Sequence, residues 1–354
     1  MNQEHHWRKF YRNKPAMAGV FFVVILLFIW LLGPFIRLDQ SLFANDQHLE
    51  ISLLKPFSKV NYVVYKSEQT SSWNNWLEGG NSHPARSIPI SQITLSPDSV
   101  LIEHYDKFGS GETQVIPKCE LESFNGSFVT SRLYVLGTDK YGRDELSRLM
   151  AGSGISLGVG IIAVVISLVL GVVLGLYAGF YKGWVDSLIS YLIQVTWAIP
   201  TLLLVMAICL AFGSGIWVVF MAVGLTMWVE VARITRGQVL SVREKEYIEA
   251  ARSLGYSNWR IMFKHILPNV SSSIIVMSAA NFASAILMEA GLSFLGLGAK
   301  IPTPSWGNMI RESYSYLATD MAYLAFLPGL CIMLLVLSFM LIGNGLRDAL
   351  DVKS

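Results

Sequence analysis

Six runs of apolar residues, near 16–37, 155–180, 188–212, 216–235, 271–297 and 322–346, dominate this chain of 354 residues. As a helix, each is long enough to cross a hydrocarbon layer of about 30 Å. One such run could be a buried helix of a soluble domain. Six in one chain with only 15% charged residues argue against that, since soluble domains carry about 25%. The mean hydropathy of +0.48 points the same way. The reading is an all-α polytopic membrane protein with six transmembrane helices, because a helix satisfies its own backbone polar groups in lipid.

The first run follows "WRKFYRNKP", which looks like the charged start of a signal peptide. The run from Ala16 to Ile36 is longer than a usual signal core, and no A-x-A-like site follows it. A retained anchor is expected. Arg8, Lys9, Arg12 and Lys14 place residues 1–15 in the cytoplasm. Six crossings bring 347–354 back to the same side. The loop 237–270 falls there too, and its flank and interior carry Arg236, Arg243, Lys245, Arg252, Arg260 and Lys264. The expected outer loops are poorer: Gly213–Gly215 has no charge, and Lys300 and Arg311 precede the last run.

Residues 38–154 form a long polar segment, expected outside and β-rich. Short β-branched and aromatic stretches recur there: "NYVVYK", "ISQITLS", "SVLIEHYDKF", "TQVIPKCELESF" and "SFVTSRLYV". Tyr62, Tyr65, Trp73, Trp76, Phe124 and Phe128 argue against disorder. His48, His83 and His104 are scattered, and no catalytic spacing is found. The three cysteines, Cys119, Cys209 and Cys331, form neither a CxxC nor a disulfide framework. A net charge of +2 gives nucleic acid no basic face. Dense small residues in "GSGISLGVG", "GVVLGLYAGF" and "AANFASA" predict closely packed helices rather than a wide pore.

The stretch "EYIEAARSLGYSNWRIMFKHILPN" (246–269) interrupts the apolar pattern. Ser241 and Glu244 have the spacing of a capping box, and Gly255 suits a left-handed helix stop. Tyr247, Ala250, Ala251 and Leu254 share one face of the helix between them, and Arg243, Glu244, Lys245, Glu249 and Arg252 the other. A second helix starts at Ser257 and is expected to end at Pro268. Periodicity leaves two readings open: a docking element, or an amphipathic helix lying on the bilayer.

These residues carry a resemblance. Glu249, Ala250, Ala251, Gly255, Leu267 and Pro268 fill, in order, the E-A-A, Gly and Leu-Pro positions of the coupling loop of ABC importer permeases. "LGTDKYGRDELSRLMAGSGISL" (136–157), "EAGLSFLGLGAKIPTPSWGNMI" (289–310) and "RKFYRNKPAMAGVFF" resemble the C-type subunit of the dipeptide/oligopeptide/nickel importers. The match covers the first span and nearly everything from Leu136 onward, including a permease transmembrane domain at 155–346. Two departures stand out. The segment Phe43–Tyr134 is long for the family, and Gln194 and Ile199 stand where Asp and Phe are expected.

The resemblance implies a type I ABC importer permease, itself no enzyme. Its partners would be a second, B-type permease, two cytoplasmic ATPase subunits that bind ATP and Mg, and an extracytoplasmic solute-binding protein. The chain holds no cofactor, and no G-x-x-x-x-G-K-[ST] sequence is found in it. Tyr247, Glu249, Ala250, Ala251, Leu254, Gly255, Leu267 and Pro268 would couple to an ATPase subunit. The cargo would be di- or oligopeptides, with nickel or another small solute as the alternative.

Charged residues in or beside the spans are further candidates. Glu230 is expected to pair with Arg233 or Arg236. Glu289 reads as a satisfied structural carboxylate at a helix interface or as a residue of the transport pathway, and Asp186 as an N-cap. Asp139, Arg143 and Asp144 read as a structural cluster near the gate or as a contact for the binding protein. Two rivals of other classes are a secondary transporter or channel, and a membrane-anchored extracytoplasmic enzyme or sensor built on residues 39–130. The first would need repeats or broken-helix sites, the second catalytic spacing within 38–154.

Overall fold

A computed structural model of the chain describes residues 3–66, 80, 81, 84–107, 109, 111–123, 126–213, 215–300 and 302–350. Trp73, Trp76, His83 and Phe124 lie outside these residues. The helices are α1 (Gln3–Tyr11), α2 (Lys14–Ile36), α3 (Glu145–Tyr181), α4 (Gly183–Trp197), α5 (Thr201–Phe212), α6 (Ile216–Arg243), α7 (Glu246–Ser253), α8 (Asn258–Phe294), α9 (Trp306–Ser313) and α10 (Tyr323–Leu350). Packing divides the chain into two units. Met1–Ile25, Ser156–Lys300 and Leu330–Ser354 form the first, and Leu26–Ile155 with Ile301–Gly329 the second.

Among the described residues, α2, α3, α6, α8 and α10 are long and apolar enough to cross a membrane. The run at 188–212, expected as one span, is instead the pair α4 and α5, bent by 88°. The cause is local. Pro200 lacks an N–H and pushes Ile199 out of the helical region, so α4 closes on the Ala198 N–H to Gln194 O bond of 2.9 Å. Hydropathy alone does not register that break. The other spans outrun their apolar runs, because the backbone ladder continues through polar residues such as Glu145 and Arg243.

In the first unit, small residues set the packing. Gly171, Gly175 and Gly179 recur one turn apart along the face of α3 against α6. A Cβ at these positions would stand 2.7, 2.6 and 2.9 Å from the carbonyl oxygens of Trp228, Ala232 and Arg236. That is the close backbone approach small residues permit in lipid. Asp186 does not cap α4, a position taken by Lys182. Its carboxylate accepts from Nε and Nη2 of Arg236 at 2.5 and 2.7 Å, a bidentate pair that outcompetes a backbone cap.

The second unit holds a five-stranded antiparallel sheet, with order β4-β3-β2-β1-β5. Its strands are β1 (Ser58–Val64), β2 (Ser87–Leu95), β3 (Ser99–His104), β4 (Thr113–Pro117) and β5 (Val129–Tyr134). Each overlaps one of the five stretches singled out in the sequence, β1 and β2 starting three residues earlier. Val63 pairs with Ile88 and Val129, Ile93 with Ile102, and Val100 with Ile116. Period-2 alternation therefore puts these side chains on one buried face. On the other face, Val60, Tyr62 and Tyr134 pack on Ile51 and Leu54. The Tyr62 and Tyr134 hydroxyls meet at 2.5 Å. Burial pushes both phenols up, that of Tyr134 to about 12.

Candidate functional site

The loop between α6 and α8 is built around α7. Helix α6 runs through Ser241 to Arg243, so Ser241 is not a cap. The chain turns at Glu244, and α7 starts after Lys245. The capping-box spacing is present, but the preceding span keeps its ladder and Ser241 remains inside it. The other end is as expected. Gly255 has φ +76°, its N–H reaches Arg252 O at 2.9 Å, and the Tyr256 N–H reaches Ala251 O at 3.1 Å. This is the Schellman pattern, which satisfies two end carbonyls. A Cβ on Gly255 would meet nothing within 4 Å, so the left-handed backbone and not space calls for glycine.

Ile248 and Ala251 anchor α7. Both are buried against Leu176, Phe180, Val239, Val242, Ile261 and Met262. Ala251 therefore lies inside, not on the outer face read from the sequence. Ile248 was missed as its partner, although the i, i+3 spacing of the two was there to be read. The outer stripe is Tyr247, Ala250 and Leu254, with Leu254 72% exposed. Trp259, 60% exposed, follows the turn and packs on Phe263 with ring centroids 4.0 Å apart. Glu249 is exposed beside this stripe. Arg252 and Arg243 place their guanidinium groups 5.4 and 5.7 Å from the Phe180 ring centre.

Ser257 caps the next helix as expected, its Oγ accepting from the Arg260 N–H at 3.4 Å. Pro268 does not end that helix. A π-helical stretch, Ile261–Ile266, precedes it, and the Leu267 N–H bonds back to Met262 O. Pro268 then falls in the first turn of regular α-helix, where a missing N–H is tolerated. Leu267 packs on the same core as Ile248. The loop is thus a short helix joined through one apolar cluster to α3, α6 and α8. A push on its exposed stripe would be carried into spanning helices.

The remaining candidates sort by burial. Asp139, Arg143 and Asp144 are 4%, 1% and 4% exposed, so little of their surface is open to a partner. Arg143 donates to Asp139 and to Glu312, each at 2.6 Å, and to Asn45 Oδ1 at 3.2 Å. Burial alone would pull its guanidinium down, and the two carboxylates outweigh it. Asp144 caps α3 by accepting from the Ser147 N–H at 2.9 Å, and burial raises its carboxyl above the usual range. Glu312 was missed. It is 169 residues from Arg143, and no local pattern links them. Glu289 is buried and accepts from Ser293 Oγ at 2.6 Å. Glu230 does not pair as expected, because Arg236 holds Asp186 and Arg233 lies 4.0 Å over the Trp197 ring.

Comparisons with known proteins add an independent line. Residues 171–353 match the family described as binding-protein-dependent transport system inner membrane component. Residues 4–56 match the N-terminal transmembrane domain of oligopeptide transport permease C. The glutathione transport system permease protein GsiD of Pectobacterium atrosepticum is 44% identical over 223 residues, 63% of this chain and 74% of that protein. The dipeptide transport system permease protein DppC of Alkalihalophilus pseudofirmus is 43% identical over 217 residues, 61% of this chain and 71% of that one. Among solved structures, an inward-facing MetNI methionine ABC transporter chain aligns with a TM-score of 0.48 at 16% identity. That alignment covers 57% of this chain and 96% of the other.

Proposed function

Because this chain belongs to the family of binding-protein-dependent transport system inner membrane components, we propose that α7 is the lever through which ATPase subunits drive it as the permease of a peptide importer. The observation that carries this reading is the split of α7 into an anchored and an open face. Ile248 and Ala251 fix it to α3, α6 and α8, while Tyr247, Ala250 and Leu254 stay exposed. A helix lying on a bilayer needs no such rigid link to the spans. ATP and Mg would be held by the partner subunits. Closure of an ATPase pair would move α7, and the shared core would pass that movement to the spans as a rigid body.

Peptide cargo is supported by the names of the relatives, whose systems carry glutathione and dipeptides. A B-type permease and a solute-binding protein complete the proposed assembly, with both termini and α7 in the cytoplasm and the sheet outside. The test is uptake of a labelled dipeptide by the assembled transporter in proteoliposomes. Uptake is expected only with ATP, Mg and the binding protein together. Uptake driven by an ion gradient without ATP would identify a secondary transporter instead.

A further inference from the structure

The short helix α1 sits at the head of α2, and its side chains sort into arcs. Taking Phe10 as origin, helical period puts Trp7 and Tyr11 about 60° and 100° round, and Arg8 and Arg12 about 160° and 200°. Phe10 is 6% exposed and packs on Ala16 and Ala349, which ties α1 to the ends of α2 and α10. Asn13 separates α1 from α2. Its N–H returns to Phe10 O at 2.9 Å, and its Oδ1 accepts from the Ala16 N–H at 3.2 Å. With Phe10 held, Trp7 and Tyr11 stay 54% and 63% exposed, their ring centroids 6.5 Å apart. Arg8, Arg12 and Lys14 are exposed as well, and none of them has an ion pair among the described residues. Asp348, on the adjoining end of α10, accepts from Asn13 at 3.5 Å. Residues 1–15 carry Arg8, Lys9, Arg12 and Lys14 against one acid, Glu4. The apolar window of α2 is only 17% buried, so α1 is joined to a helix that is open to lipid over most of its surface. Trp and Tyr favour the boundary between headgroups and acyl chains. Guanidinium groups favour phosphate oxygens, which they grip with two hydrogen bonds. One surface offers both to neighbouring arcs of a helix: the interface of a bilayer with anionic headgroups.

We propose that α1 is a lipid-binding helix: Trp7 and Tyr11 insert at headgroup level where α2 enters the bilayer, and Arg8 and Arg12, helped by Lys9 and Lys14, hold anionic phospholipid headgroups. The inference needs α2 in the membrane. It needs neither the ATPase coupling nor the peptide cargo proposed above.

The test puts the photoreactive p-benzoylphenylalanine in place of Tyr11, an aromatic for an aromatic, in the complete transporter. The carrier is a nanodisc of phosphatidylglycerol and phosphatidylcholine in equal amounts. Irradiation should attach lipid to α1, with phosphatidylglycerol favoured about fivefold, the scale of one cation near a charged surface. High salt should bring that ratio towards one, because exposed charges are screened. Arg8→Gln with Arg12→Gln should lower it at low salt, while Lys9 and Lys14 remain to orient α2. Arg8→Lys with Arg12→Lys should retain a preference for phosphatidylglycerol. Equal attachment of the two lipids at low salt, with both arginines in place, overturns the proposal, and this arm needs no arginine variant to fold. Attachment to a protein subunit in place of lipid, or no lipid adduct at all, overturns it as well.

Discussion

At the scale of single residues, burial separates groups that the sequence presents as equals. Ala250 and Ala251 are adjacent in one motif, yet one faces outward and the other packs on Phe180 and Ile261. Ala251→Arg should therefore cost several kcal/mol by burying an unpaired charge. Leu254→Glu should leave the fold intact and weaken ATPase attachment. Membrane yield and co-purification of the ATPase subunits distinguish the two effects. A titratable residue makes a second case. Burial pushes Asp46 up, but His48 at 3.1 Å and Arg132 at 3.6 Å outweigh it, so its carboxyl lies below the usual value. A depressed carboxyl stabilises the fold above the unfolded value of about 3.9, and that contribution is lost as pH falls through the folded value. The melting-temperature gap between the wild type and Asp46→Asn should be widest near neutral pH and close in acid.

At the scale of elements, packing distances decide which glycines matter. Gly175→Leu would drive a side chain into the Ala232 carbonyl, already 2.6 Å from the first added atom, and should prevent α3 from docking on α6. Gly237, inside α6, has nothing within 4 Å of an added Cβ. Gly237→Ala should hold or raise stability by up to about 1 kcal/mol, through helix propensity alone. Thermal aggregation of the two variants in detergent checks both expectations. In the second unit, Glu312→Ala leaves two buried arginines, Arg143 and Arg148, sharing the Asp139 carboxylate. Breaking such a buried pair costs about 3–5 kcal/mol, so poor membrane yield is expected.

The elements also show how far the sequence could be read. All five strands were legible, because β-branched residues between turn-forming ones carry a period-2 signal. The Ser257 cap and the Gly255 stop were legible because each depends on residues within one turn. The α4–α5 bend was missed although Pro200 encodes it, because an apolar run reads as continuous through a proline. The inward turn of Ala251 and the Arg143–Glu312 pair depend on residues far away along the chain. No local pattern reports either.

At the scale of the whole molecule, the family assignment and the anchored, open-faced α7 support the proposed permease driven from outside its own chain. The bent α4–α5 pair with Glu230 beside it is the kind of site a secondary transporter also uses, so the energy source, not the fold, separates the two. The most direct measurement is cross-linking from Leu254→Cys on the outer stripe of α7, in intact membranes carrying the complete assembly. The account predicts a cross-link to an ATPase subunit that changes with bound nucleotide, and protection of the thiol from an impermeant maleimide added outside cells. Labelling of that cysteine from outside, or no cross-link to any ATP-hydrolysing subunit, would contradict it.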